Sequence, residues 1–264
     1  NTTINGLRTS FTNITVDGIN IQDNFLRSNA LDFLPNLLLL DQIAEMTVST
    51  ANTNAPVGGG AAQVSFTTPS GTNEYHGAVY WYNRNNATAA NNWFNNRDGI
   101  KLPFLNQNQV GGKISGPIMK NKLFFYGNYE AFRLRQQTTL NRTVLTSDAR
   151  NGIMSYTAGG ALQKVNLLSL TGRAIDPAMK DLIGELPAAS AINNYRVGDS
   201  AEGILRNTAG YTFLARSNRT RDNVTAKVDY VISPTLNAYG TILWNRDILD
   251  RPGISANTFA AVPF

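Results

Sequence analysis

In several stretches of about ten residues, apolar and polar side chains alternate one for one, the period of a strand whose two faces meet different surroundings. The cleanest is 222–232, with Val224, Ala226, Val228 and Tyr230 on one side and Asn223, Thr225, Lys227 and Asp229 on the other. Residues 74–84 set Tyr75, Gly77, Val79 and Trp81 against Glu74, His76, Ala78, Tyr80, Tyr82 and Arg84, so ionisable groups fall on one face only. Similar runs predict strands at 108–118, at the aromatic-rich 123–135, and at 236–246 after the turn Ser233-Pro234-Thr235. Residues 119–122 make a short charged turn, whereas the Asn-rich 85–106 and the segment 136–220 are long connections. Within the latter, 162–170 and 176–186 have enough apolar content to predict short helices.

Upstream of Gly71 the signals are shorter and mixed. Asp17-Gly18 between Ile14/Val16 and Ile19/Ile21 predicts a hairpin over 12–22 with a tight primed turn. Pro35 followed by an apolar side at Leu37–Leu40 and Ile43 predicts a short helix over 36–43. Residues 45–50 and 63–68 are rich in β-formers and read as strands, and Pro69-Ser70-Gly71 separates them from the longer strands downstream. Gly58, Gly59 and Gly60 do not form a phosphate loop, because no Lys-Ser/Thr pair comes after them and the spaced glycine pattern of a dinucleotide site is missing. They suit a tight bend or close packing against a wall.

The run 58–77, Gly-Gly-Gly-Ala-Ala-Gln-Val-Ser-Phe-Thr-Thr-Pro-Ser-Gly-Thr-Asn-Glu-Tyr-His-Gly, resembles the plug-to-barrel junction of TonB-dependent outer-membrane receptors. Val16-Asp17-Gly18 upstream, and Gly116-Pro117-Ile118 and Lys122-Leu123-Phe124-Phe125-Tyr126 downstream, occur in the family's order and match best the Oar-like receptors that carry a carboxypeptidase-regulatory-like domain. The resemblance spans all but about 140–215 of the chain. It implies a mainly β protein in which 1–72 is the C-terminal part of a small α+β plug domain. Residues 73–264 would then be the N-terminal part of an incomplete antiparallel transmembrane β-barrel, with about five strands and long extracellular loops, the longest about 136–220. Gly58, Gly59, Gly60, Pro69 and Gly71 would form the plug–barrel junction.

The same resemblance implies a Gram-negative outer-membrane location and energised uptake of a siderophore, glycan or peptide. The partners would be outer-membrane lipid, an extracellular substrate and the TonB complex, the last through a segment not in this chain. No cofactor and no bond-making chemistry are implied. An internal fragment of a longer receptor is expected, since the chain opens without an initiator Met or signal peptide and supplies five of the about 22 strands of such barrels. Alone it would expose sheet edges and an apolar face and aggregate in water.

Composition narrows the rest. No window approaches the roughly 18 uninterrupted apolar residues of a membrane helix, so a membrane location requires strands. The absence of cysteine excludes disulfides and thiolate chemistry, and the 23 scattered basic residues behind a net charge of +5 form no nucleic-acid-binding stripe. His76 is the only histidine, which rules out a serine–histidine triad or multi-histidine metal site within the chain. It reads as a polar lumen residue, with Glu74 a weak cation site at most. Asp222, Asp229, Asp247 and Asp250, with Arg221, Lys227, Arg246 and Arg251, read as solvated wall or rim charges.

The aromatic residues Tyr80, Trp81, Tyr82, Trp93 and Phe94 have two readings, as interfacial anchors and as a ligand platform. Trp93, Phe94, Asn95 and Arg97, with Asn91, Asn92 and Asn96 beside them, are the candidate substrate-binding residues. Sugars, peptides and siderophores suit such a platform equally. Two alternatives stand beside the receptor: a barrel adhesin or passive channel that uses 136–220 as its binding surface, and a soluble carbohydrate-binding β-sandwich. An enzyme is disfavoured by the missing nucleophile and metal constellations.

Overall fold

The structure is a computed structural model and describes residues 3–4, 7–8, 12–22, 38–50, 62–201 and 203–251. Its first strands, β1 (Thr3–Ile4) and β2 (Leu7–Arg8), form a minimal antiparallel pair. Next, Asp17 and Gly18 adopt φ of 47° and 83°, the left-handed pair that a primed turn requires, and fold β3 (Thr12–Val16) back onto β4 (Ile19–Asn20). With β5 (Glu45–Ser49) and β6 (Ala62–Thr67) they make a four-stranded sheet in the order β4-β3-β6-β5, in which β3 and β6 run parallel. Ile14, Val16 and Ala62 are buried in it.

The helix expected over 36–43 is reduced, among the described residues, to one 3-10 turn at Leu40–Gln42, and 36–37 lie outside the described residues. Gln42 closes the turn by accepting the Leu39 amide on Oε1 at 3.0 Å, and Ala44 already donates to Thr67 O at 2.8 Å. The chain joins the sheet before a second turn can form.

A larger sheet comes next, built from β7 (His76–Asn85), β8 (Leu105–Met119) and β9 (Leu123–Leu145). After a hairpin of β10 (Ile153–Ala158) and β11 (Ala161–Asn166) come β12 (Thr208–Arg216), β13 (Arg219–Ser233) and β14 (Leu236–Leu249). The order is β14-β13-β9-β8-β7, with β12 antiparallel to the far end of β9 from Thr208↔Leu145 to Arg216↔Gln137. Among the described residues β7 and β14 are open edges. Strands make up 56% of the described structure and helices 14%, so the chain is mainly β.

The five long strands cover the five stretches of alternating pattern except Glu74 and Tyr75, which precede β7, but β9 runs ten residues beyond the expected end at 135 because β12 pairs with that extension. The helix expected over 162–170 is also shortened. Gly159 and Gly160, at φ of 59° and 78°, turn 153–166 into the β10–β11 hairpin, and α3 covers only Leu167–Thr171. The remaining α-helices among the described residues are α1 (Trp93–Arg97), α2 (Ser147–Arg150) and α4 (Pro177–Gly184). The last starts at Pro177 under Asp176, whose Oδ1 accepts the Ala178 amide at 2.9 Å.

The two faces of the large sheet reverse the arrangement of a water-soluble protein. Tyr126, Asn128 and Glu130 on β9, and Arg221, Asn223, Thr225 and Lys227 on β13, are buried, with Glu130 at 0% exposure. Val79, at 90%, and Trp81, Ile114, Val228, Ile232 and Ile242 on the opposite face are exposed. Among the described residues no helix is long and apolar enough to cross a membrane.

The chain divides into two compact units. The first is Asn1–Asn83, Asn108–Arg133 and Arg219–Ile248, and holds the small sheet together with the buried polar face of β9 and β13. The second is Arg84–Gln107, Leu134–Asn218 and Leu249–Phe264, and holds the four short helices, the β10–β11 hairpin and β12.

Candidate functional site

Within the first unit, the tip of the β3–β4 hairpin meets the polar face of β13 and β14. The Asp17 carboxylate, only 4% exposed, accepts Thr68 N at 2.9 Å, Thr68 Oγ1 at 2.6 Å and Thr241 Oγ1 at 2.8 Å, while Lys227 Nζ stands 3.8 Å away. Tyr239 Oη donates to the Asp17 carbonyl at 2.8 Å, and Lys227 donates to Thr68 O at 3.3 Å. Burial pushes the Asp17 carboxyl up, but the bonds from Thr68 and Thr241 and the Lys227 charge together outweigh it and hold the group below the usual carboxylate range. A cavity of about 470 Å³ opens beside this contact, between Ile19 and Ile21 on one side and Tyr239 and Leu243 on the other.

A second contact joins the 3-10 turn to the same face. Lys113 Nζ donates to Asp41 Oδ1 at 2.9 Å and Tyr126 Oη to Asp41 O at 2.8 Å. Deeper on the wall, the Glu130 carboxylate accepts Tyr80 Oη at 2.7 Å and Gln109 Nε2 at 2.8 Å. Arg221 Nε, Asn223 Nδ2, Thr225 Oγ1 and Asn128 Oδ1 are buried without a hydrogen-bond partner among the described residues. So many polar atoms on one sheet face are tolerable only where water or further polar chain reaches them.

At the junction, Gly71 is sterically required. A Cβ there would stand 2.5 Å from Phe125 O and 2.7 Å from Gly116 O, so only glycine lets this segment lie against β8 and β9. Pro69 lines a small cavity with His76, Lys113 and Tyr126, whereas Gly58, Gly59 and Gly60 lie outside the described residues.

Asp229 pairs with its sequence neighbour Lys227, whereas the other three aspartates take partners different from those that sequence neighbours suggest. Asp247 is held by Arg219 and by Arg221 at 3.4 Å, Asp222 by Arg133 and Tyr129, Asp250 by Arg216 at 2.9 Å, and Asp229 by Lys227 at 3.8 Å. His76 Nε2 is 4.0 Å from Glu74 Oε2, both groups being exposed. Among the described residues no group of three or more His, Cys, Asp or Glu side chains is arranged to hold a metal.

In the second unit, α1 carries the four candidate binding residues. Asn92 caps it by accepting the Phe94 amide on Oδ1 at 2.8 Å. Trp93 and Phe94, exposed by 65% and 60%, meet edge to face with centroids 5.1 Å apart at 85°, and the Arg97 guanidinium stacks 5.3 Å from each ring. Arg97 forks onto Asp98 at 2.7 and 2.9 Å and holds that carboxyl below its usual range, while Arg196 approaches Asp98 at 3.7 Å. Asn95 faces away from the rings, donating to Asn91 Oδ1 at 3.1 Å and accepting Thr139 Oγ1 at 3.2 Å. The structure therefore gathers Trp93, Phe94 and Arg97 into one platform and assigns Asn95 to its support. Sequence reading missed Asp98 and Arg196; the adjacent Arg97-Asp98 pair was the available signal for the first, and nothing local marked the second.

A family model described as an outer membrane beta barrel domain matches residues 67–262, about three-quarters of the chain. The chain belongs to the outer membrane beta barrel domain family. Among curated proteins and solved structures, none matches it significantly. As an outer-membrane barrel protein it resides in the outer membrane. In such a barrel the outward band must be apolar because charge on the lipid side is costly, whereas the interior is wet. That requirement accounts for the buried Glu130, Asn223 and Lys227 and the exposed Val79 and Ile242. A soluble β-sandwich would bury the opposite face.

Proposed function

We propose that this outer-membrane barrel protein is part of a TonB-dependent receptor that takes up a scarce substrate, with the small four-stranded sheet as the back half of its plug. One observation carries the reading: the small sheet is tied to the polar face of the barrel strands by the Asp17 contacts with Thr241, Tyr239 and Lys227 and by the Asp41–Lys113 pair. An element lodged against the interior wall through a few hydrogen bonds can block the lumen at rest and still be displaced by a modest pull. The junction motif around Pro69 and Gly71 and the order of the later motifs support the same family.

Substrate would meet the extracellular connections first, with the Trp93–Phe94–Arg97 platform presenting two ring faces and a guanidinium suited to a glycan, peptide or siderophore. Energy would come from the inner membrane through TonB, and no bond would be made or broken in the cargo. The test uses the full-length protein. Cells given siderophore, glycan or peptide as the only iron or carbon source should grow in a way that needs both this gene and TonB. The purified protein should show no steady ion conductance in planar bilayers. Growth that survives TonB deletion together with a steadily open pore would sink the receptor and favour a passive channel.

A further inference from the structure

We infer that the outside of the barrel wall carries a binding site for the phosphate of an outer-leaflet glycolipid, centred on Arg246 and Arg133. The observation is an interruption of the outward apolar band. From Val224 to Ile232 on β13 and from Ala238 to Trp244 on β14, outward positions are uncharged. Charge then enters on three adjacent strands together, as Arg133, Asp222 and Arg246.

These three residues share one height. Arg133 lies ten residues past Leu123 at the start of β9, Asp222 eleven before Ser233 at the end of β13, and Arg246 ten after Leu236 at the start of β14. At about 3.3 Å per residue and a tilt near 40°, that is roughly 25 Å above the short turns, the thickness of the apolar band of an outer-membrane barrel. Connections at the other ends of the strands are long, 86–104 and 146–218, so that edge of the band faces the cell exterior. Tyr129 and Trp244, half exposed just below, and Trp81, which donates to Asn108 Oδ1 at 3.0 Å, supply the aromatic and amide groups of an interface.

The charges do not cancel. Asp222 is committed to Arg133 and Tyr129, and Arg133 also donates to the carbonyls of Phe132 and Arg221 at 3.1 and 2.7 Å. Arg246 forms no hydrogen bond among the described residues, although its charge reaches Asp222 from the neighbouring strand. Two guanidiniums around one carboxylate leave a net positive charge on a wall flanked by lipid. The matching group in that leaflet is the phosphate of a glycolipid, which a guanidinium can grip with two parallel hydrogen bonds. This inference rests on the barrel family and not on TonB-driven uptake.

The test titrates the full-length protein in detergent with bis-phosphorylated lipid A, reading affinity by native mass spectrometry. Arg246→Gln should weaken binding by roughly tenfold or more, the worth of one charge-assisted contact, whereas Arg246→Lys, which keeps the charge but loses the second parallel hydrogen bond, should weaken it by a smaller factor and Lys180→Gln should leave it unchanged. Heat-modifiable gel mobility confirms that each variant is a folded barrel, and the lysine variant distinguishes lost charge from lost packing. Equal binding by Arg246→Gln, equal binding of dephosphorylated lipid A, or full displacement by millimolar inorganic phosphate would each overturn the site.

Discussion

Replacing Asp17 by Asn removes the charge at the centre of the hairpin–wall contact while keeping a residue that tolerates the φ of 47°. The wild-type Asp17 carboxylate receives three hydrogen bonds, two from Thr68 just after β6 and one from Thr241 on the wall. Bonds to a charged acceptor exceed neutral ones by about 1 kcal/mol each, so the substitution should cost about 3 kcal/mol, or roughly a hundredfold in the opening equilibrium. Lys227, with its side chain 7% exposed, would keep only Asp229 at 3.8 Å as a counter-charge, which places the cost at the upper end. The assay is hydrogen exchange in the full-length protein, monitored at the amides of Asp17, which donates to Phe66 O at 2.9 Å, and Thr68.

A double-mutant cycle with Thr241→Val should return a coupling of about 1 kcal/mol, the share of the wall contact alone. The pH dependence has a definite sign. Because the folded carboxyl is held below its ordinary value of 3.8, its contribution is complete above about pH 4 and is lost as pH falls through the lowered folded value. Exchange corrected for its intrinsic rate should therefore rise in acid for the wild type and stay flat for Asp17→Asn. Less than a threefold change at both amides, or strict additivity with Thr241→Val, would refute the idea that Asp17 ties the small sheet to the wall.

Gly71→Ala should lower the yield of folded, heat-modifiable barrel, since the new Cβ meets backbone oxygens at 2.5 and 2.7 Å and overpacking of this kind costs about 1–3 kcal/mol; Gly240→Ala, with nothing within 4 Å, should be silent. Val228→Arg, on the outward face of β13, should cost about 2–4 kcal/mol in urea titrations of protein folded into lipid vesicles. Trp93→Ala should leave vesicle folding unchanged because the ring is 65% exposed, yet reduce cargo uptake by whole cells; unchanged uptake would remove the platform from the binding site.

What the sequence determined by itself is local. Alternation with period two predicts strands at 74–84, 108–118 and 222–232, within one to three residues of those that form, and Asp17-Gly18 specifies its turn, because both depend on backbone preferences of residues adjacent in the chain. The cluster at 93–97 was legible for the same reason, with Trp93, Phe94 and Arg97 close enough to stack within one helical turn. Tertiary structure decided what depends on distant partners. Alternation is identical in a sandwich and a barrel, and only packing buries Glu130 and Asn223 while exposing Val79. The extension of β9 to Leu145 awaits β12, more than sixty residues further along the chain, and the hairpin at 153–166 displaces a helix of comparable local propensity. Asp17 finds Thr241 across 224 residues, a meeting that no window of sequence contains. The common height of Arg133, Asp222 and Arg246 likewise emerges only once three strands lie side by side, because register is a property of paired strands and not of any one of them.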